Sequence, residues 1–151
     1  MGIIAICRHG KTDNGLDNPS LNNEGRVGAQ KLAFKLKADF SKIPTMICSS
    51  EALRATETAE ILRQSLGGRI ITRDAFGEKE SDSQRFLELI TKWDLKVGLL
   101  VAVTHMHHFS SVSEALGKRL SPKVIIGHLD WGAHVFDLSE NKYDRLDIAS
   151  L

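Results

Sequence analysis

Cysteine and proline are scarce in this chain: two and three respectively among 151 residues. The cysteines, Cys7 and Cys48, sit inside apolar runs and not in a paired motif, which excludes a disulfide framework and a thiolate metal site. They read as small buried hydrophobes of a reducing compartment, so a cytoplasmic protein is expected. No Pro/Ser-rich linker, repeat or low-complexity tract interrupts residues 1–151, and one domain is expected over that whole length. Charge of one sign is also missing. A formal net charge of +1, with both signs well mixed, offers no basic stripe for nucleic acid. Nor is any apolar run long enough to cross a bilayer, so no membrane partner is expected. The first such run, Ile3–Cys7, is short and has no basic stretch ahead of it of the kind a signal peptide carries.

What is present is alternation. Ile3–Cys7 reads as a fully apolar strand. Asn22 then caps a helix whose Ala29, Leu32, Ala33, Leu36 and Phe40 recur at helical spacing. Thr45–Cys48 is a second strand. Ser49 or Ser50 caps a helix burying Ala55, Ala59, Leu62 and Leu66, which Gly67-Gly68 ends. Arg69–Thr72 gives a third strand, and Ser81–Ser83 starts a helix carrying Phe86, Leu87, Ile90 and Trp93. Leu99–Val103 is another apolar strand, followed by a helix with Phe109, Val112 and Leu116 that Gly117 closes. Val124–Ile126 reads as a short extra strand, and Ala133–Leu138 with Tyr143–Ile148 as a hairpin around Glu140-Asn141. Strands alternating with helices predict an α/β fold: a three-layer α/β/α sandwich with a mostly parallel sheet and one antiparallel edge.

Ligands of such sheets bind beyond the carboxyl ends of the strands. Those ends carry chemistry here. The first strand delivers Arg8 and His9, the second Ser49-Ser50 and, a helical turn on, Arg54. The third leads to Glu78 and Glu80, and the Leu99–Val103 strand delivers Thr104-His105. Guanidinium groups grip phosphate oxygens in a planar fork. A neutral imidazole attacks phosphorus without help from a metal. Helix N-termini at the same rim favour an anion. The pattern points to a phosphate site.

Four stretches then carry a resemblance: Cys7-Arg8-His9-Gly10-Lys11-Thr12, Leu21-Asn22-Asn23-Glu24-Gly25, Ser49 through Ala59 with Arg54-Ala55 at its centre, and Val101-Ala102-Val103-Thr104-His105. In this order the chain resembles the histidine phosphatase superfamily, the group that includes cofactor-dependent phosphoglycerate mutases. The resemblance implies a phosphoglycerate mutase-like fold, with His9 as the nucleophile that becomes a phosphohistidine. It implies that Arg8, Arg54 and His105 hold the phosphoryl oxygens, and that Glu78 is the acid and base, with Glu80 in reserve. Thr12, Asn14 and His107 are expected to touch substrate. No cofactor and no metal are expected, because His105-Met106-His107-His108 lacks ligand partners at a defined spacing.

The chain departs from the family pattern at Lys11, where Glu is frequent, at Asn22, where Thr is usual, and at Gly28, where Gln is common. Mutases also carry long insertions over the site, whereas here a short stretch separates Glu78 from Leu99. An open site favours water as the acceptor. The expected activity is therefore hydrolysis, on a small phosphorylated metabolite or a phosphohistidine protein. Mutase-type transfer and non-catalytic binding of a phospho-group are the competing readings. His128 and His134 read as structural or surface residues, Asp82 as a solvated charge, and Trp93 and Trp131 as packing.

Overall fold

The computed structural model describes residues 2–15, 17–80, 82–94 and 98–151, Trp93 and Asp94 as backbone only. Among these described residues six strands form one sheet: β1 (Ile3–Arg8), β2 (Thr45–Ser49), β3 (Arg69–Thr72), β4 (Leu99–Thr104), β5 (Gly132–Asp137) and β6 (Lys142–Asp147). Their order is β3-β2-β4-β1-β5-β6. The first four are parallel, while β5 runs antiparallel to β1 and β6 antiparallel to β5. The expected mostly parallel sheet with one antiparallel edge is what forms.

Four α-helices among the described residues cover it: α1 (Asn23–Phe40), α2 (Leu53–Leu66), α3 (Ser83–Asp94) and α4 (Met106–Leu120). Strands β1 and β4 are buried on both faces, which is why their sequences are apolar at successive positions and not at alternate ones. One core packs Leu32, Leu36, Ala59 and Leu62 of α1 and α2 against Ala5, Ile47, Val101 and Val103. The other packs Phe86, Ile90, Phe109, Val112 and Leu116 of α3 and α4 against Ile4, Ile6, Leu100 and Ala102. Among the described residues no helix is long and apolar enough to cross a membrane.

Asn22 caps α1 as expected, its side chain accepting from the Gly25 N–H at 2.8 Å. Gly67, at φ 76°, ends α2 and donates to the Arg63 carbonyl at 2.7 Å. Three expectations are corrected. Helix α2 begins at Leu53 with Ala52 at its cap position, so neither Ser49 nor Ser50 caps it; the Ser50 hydroxyl is engaged with a histidine instead. Gly117 does not close α4, which continues to Leu120. It is there because a Cβ would stand 2.8 Å from the Ile126 side chain. That same contact explains the third correction: Val124–Ile126 is no strand but a segment laid against α4. Ser81, named as one helix start, lies outside the described residues, and Ser83 is the first helical residue.

Connections from β1 and β4 diverge. Helix α1 carries the chain from β1 to β2 over one face, and α4 carries it from β4 to β5 over the other. Between the carboxyl ends of these two neighbours the topology leaves a crevice, the usual ligand position of open α/β sheets.

Candidate active site

The register brings the strand ends level. Arg8 of β1 pairs with Thr104 of β4, and Ser49 of β2 with Val103. Two backbone bonds extend this pairing one residue further, His9 N–H to the Thr104 carbonyl at 2.9 Å and Ser50 N–H to the Val103 carbonyl at 3.1 Å. His9, Ser50 and His105 therefore leave the sheet side by side. The ring centroids of His9 and His105 lie 5.1 Å apart at an interplanar angle of 60°.

Arg54, in the first turn of α2, joins them. Its Nε donates to His9 Nε2 at 3.3 Å, and its Nη2 reaches His105 Nδ1 at 3.3 Å and Glu78 Oε2 at 2.6 Å. A guanidinium is a donor only, so each imidazole nitrogen facing it is an acceptor. The tautomers follow. His9 carries its proton on Nδ1 and donates it to the Gly10 carbonyl at 2.8 Å, leaving the Nε2 lone pair toward the crevice. His105 carries its proton on Nε2 and donates it to Ser50 Oγ at 2.8 Å. Burial, and after it the nearby cationic side chains, push His9 down to about 4; desolvation and the His9, Arg54, His108 and Arg8 side chains push His105 down to about 3. Both rings are neutral at physiological pH.

Arg8 is held from the side. Its Nη1 donates to the Asp130 carbonyl at 2.7 Å, and its guanidinium lies 4.4 Å from the centroid of the Trp131 ring. Its buried Nε has no hydrogen-bond partner among the described residues. Trp131 is half-buried, and it also carries Lys11 Nζ at 4.7 Å, so it is more than packing: it orients two cations beside the crevice. Glu78 stands at the mouth, its side chain 68 % exposed, while that of its partner Arg54 is only 11 % exposed. Glu80 points elsewhere, pairing with Arg85 at 3.4 Å and accepting from the Asp82 N–H.

The structure thus brings together His9, Arg54, His105 and Glu78, with Arg8 beside them. Thr12, Asn14 and His107 sit on the flanking segments. Thr12 makes an isolated bridge with Leu21, Asn14 lies in an exposed turn, and His107 is exposed in the first turn of α4, its ring 4.9 Å from that of His108. His134 is buried and hydrogen-bonds the Tyr143 hydroxyl at 2.7 Å, the structural role expected of it. Sequence reasoning missed three supports. One is Ser50. Another is Thr58, which accepts from the Gly10 N–H at 3.0 Å and donates to the Arg54 carbonyl at 2.8 Å, tying the loop of His9 to the helix of Arg54. The third is the Asp130-Trp131 cradle of Arg8. Ser50 and Thr58 lie inside the Ser49–Ala59 motif; Asp130 and Trp131 are distant in sequence and carry no local signal. Among the described residues no three His, Cys, Asp or Glu side chains are grouped to hold a metal.

The sequence profile of the histidine phosphatase superfamily (branch 1) matches residues 4–94. The chain belongs to that superfamily, and is an enzyme of the histidine-phosphatase type. Solved structures agree on the fold. A protein histidine phosphatase SixA complexed with tungstate superposes with a TM-score of 0.77 at 16% identity, covering 98% of each chain. A protein named as the putative phosphohistidine phosphatase SixA from Agrobacterium tumefaciens gives 0.72 at 24% over 96% of this chain and 94% of that one. A mycobacterial glucosyl-3-phosphoglycerate phosphatase gives 0.68 at 18% over 97% of each. No curated protein matches the sequence.

Proposed function

We propose that this protein hydrolyses a phosphoryl group through a phosphohistidine on His9, without a metal ion. The observation that carries the reading is the placement of the His9 ring: Nδ1 lies 2.8 Å from the Gly10 carbonyl oxygen and Nε2 3.3 Å from Arg54 Nε, so the Nδ1 proton goes to Gly10 and a neutral Nε2 lone pair faces a guanidinium in a crevice at the strand ends. Nε2 attacks phosphorus in line as the bond to the leaving group breaks; water then attacks the phosphohistidine and inorganic phosphate leaves. Arg54, Arg8 and His105 hold the equatorial oxygens and stabilise the charge that builds on them. Glu78, exposed at the mouth, hands a proton to the leaving oxygen and then takes one from water. Thr12, Asn14 and His107 contact the remainder of the substrate.

Hydrolysis is favoured over transfer by the openness of the site. The connection from β3 to α3 runs only over residues 73–82, with one short 3-10 turn at Asp74–Phe76, too little chain for a closing lid. The substrate is a phosphomonoester or a protein phosphohistidine. The folds named above include members acting on each, and an imidazole leaving group would dispense with Glu78. The expected setting is cytoplasmic, with no nucleic-acid or membrane partner.

Incubation with a labelled phosphodonor tests the reading. The expected product is an acid-labile, alkali-stable label on the wild type that is absent from His9→Ala, with activity untouched by EDTA and inhibited by vanadate. A His9→Ala protein that keeps full activity removes the nucleophile. Binding without turnover makes the protein a phospho-group binding module, and transfer between glycerate positions without phosphate release makes it a mutase.

A further inference from the structure

Ser50 meets His105 on the side away from the crevice. Its Oγ lies 2.8 Å from His105 Nε2 and also accepts from the Ala52 N–H at 3.2 Å. Ser50 is buried and so is His105. On the crevice side, His105 Nδ1 is an acceptor facing Arg54. This poses a chemical problem. A phosphoryl oxygen arriving between Arg54 and His105 would meet a lone pair on Nδ1, and two acceptors repel. Either the ring takes up a second proton, or it moves its single proton from Nε2 to Nδ1.

We propose that Ser50 is a positioning residue for oxyanion binding: its Oγ keeps the Nε2–H of His105, so that a bound phosphoryl group draws a proton from solvent onto Nδ1 and faces an imidazolium. No other bond forms or breaks. The charged groups around His105 are Arg8 on β1, Arg54 on α2 and, reaching it through Arg54, Glu78, with the imidazoles of His9 and His108 beside it. In the free site the burial of the ring, and after it the neighbouring imidazoles and these cations, keep His105 neutral. A dianion in contact with the ring reverses that balance, since opposite charge at close range favours the protonated form. The Ser50 oxygen then becomes the acceptor of a charge-assisted bond, stronger than the neutral one it replaces. Moving the proton between the two nitrogens instead would require one transfer out of the buried side and a second onto the crevice side. Uptake requires one.

The proposal rests on the phosphatase reading of the site but is tested apart from activity. The probe is tungstate, a tetrahedral dianion that does not titrate near neutrality, added to protein with 15N-labelled histidine. His105 signals are assigned with His105→Asn. Expected in the wild type is one protonated ring nitrogen, Nε2, in the free protein and two in the complex. In Ser50→Ala the second protonation is lost or diminished and tungstate binds about tenfold more weakly, as for loss of one hydrogen bond to a charged group. Ser50→Thr keeps the hydroxyl and restores both, which separates this role from a loss of folding. A wild-type complex in which His105 holds a single proton, on either nitrogen, overturns the proposal, as does a Ser50→Ala protein indistinguishable from wild type. Tungstate that binds while His105 stays neutral removes this inference and leaves the His9 chemistry standing; tungstate that does not bind removes both.

Discussion

Arg54 concentrates the most consequence in one side chain, because a single guanidinium addresses His9, His105 and Glu78. Its replacement by alanine is expected to lower kcat/KM by about a hundredfold to a thousandfold, the usual effect of removing one preorganised donor. Lysine keeps the charge but not the fork, so Arg54→Lys should recover little of it; steady-state rates on an aryl phosphate measure both. Glu78→Gln should divide substrates by leaving group. Alkyl phosphates, which need a proton, should slow by about 10²–10⁴-fold, whereas a phosphohistidine peptide should barely change. On the proposed mechanism His9 sets the acid limb. The reactive form is the neutral ring and burial holds His9 down to about 4, so kcat/KM corrected for substrate ionisation should fall as pH drops through about 4, and not near 6.5. A limb at 6.5 in the free enzyme would mean that His9 is not the group titrating.

At the scale of elements, the site depends on how closely α1 approaches the loop that carries His9. A Cβ built on Gly25 would stand 2.2 Å from the Lys11 carbonyl oxygen, and one on Gly10 would stand 2.8 Å from the Gly25 oxygen. The Asn22 N–H also donates to the Lys11 carbonyl at 3.0 Å. The first turn of α1 thus rests directly on the backbone just after His9. Gly25→Ala must push the two apart, and we expect a loss of about 1–3 kcal/mol in urea denaturation, together with a fall in kcat that outlasts correction for the folded fraction. Stability lost with kcat intact would show that the loop does not need α1. Element boundaries were largely legible: Arg69–Thr72 and the apolar strands Ile3–Cys7 and Leu99–Val103 appear within a residue of their sequence limits. Where reading failed, at Ser50, Gly117 and Val124–Ile126, one cause recurs. Serine before a helix looks like a cap and glycine inside one looks like a stop, because those are their local effects. At these positions the partner lies outside the local pattern: His105 is 55 residues beyond Ser50, and Ile126, past the end of α4, lies against Gly117.

For the whole molecule, buried neutral imidazoles link folding to acidity. His105 is pushed down to about 3 and His134 to about 4, both mainly by desolvation. The unfolded chain binds a proton at each near pH 6.5, so between 6.5 and about 4 it holds more protons than the folded one. Stability is therefore complete above 6.5 and declines as pH falls through that window, by up to about 1.4 kcal/mol per pH unit for each group. Urea midpoints measured from pH 7 to 4.5 should show this decline, and His134→Gln should remove part of the slope. A flat profile would mean that the two rings are not kept neutral by the fold.

The run of residues alone determined the layers, the parallel core of the sheet and the set of side chains to watch, because hydrophobic periodicity and the four motifs are local and need no knowledge of contacts. It also placed His9 and His105 at strand ends. Only the tertiary structure decided that Glu78 and not Glu80 reaches Arg54, that Asp130 and Trp131 hold Arg8, and which nitrogen of each histidine bears its proton. Those outcomes depend on which donor meets which acceptor across the sheet, and such pairings are created by the fold.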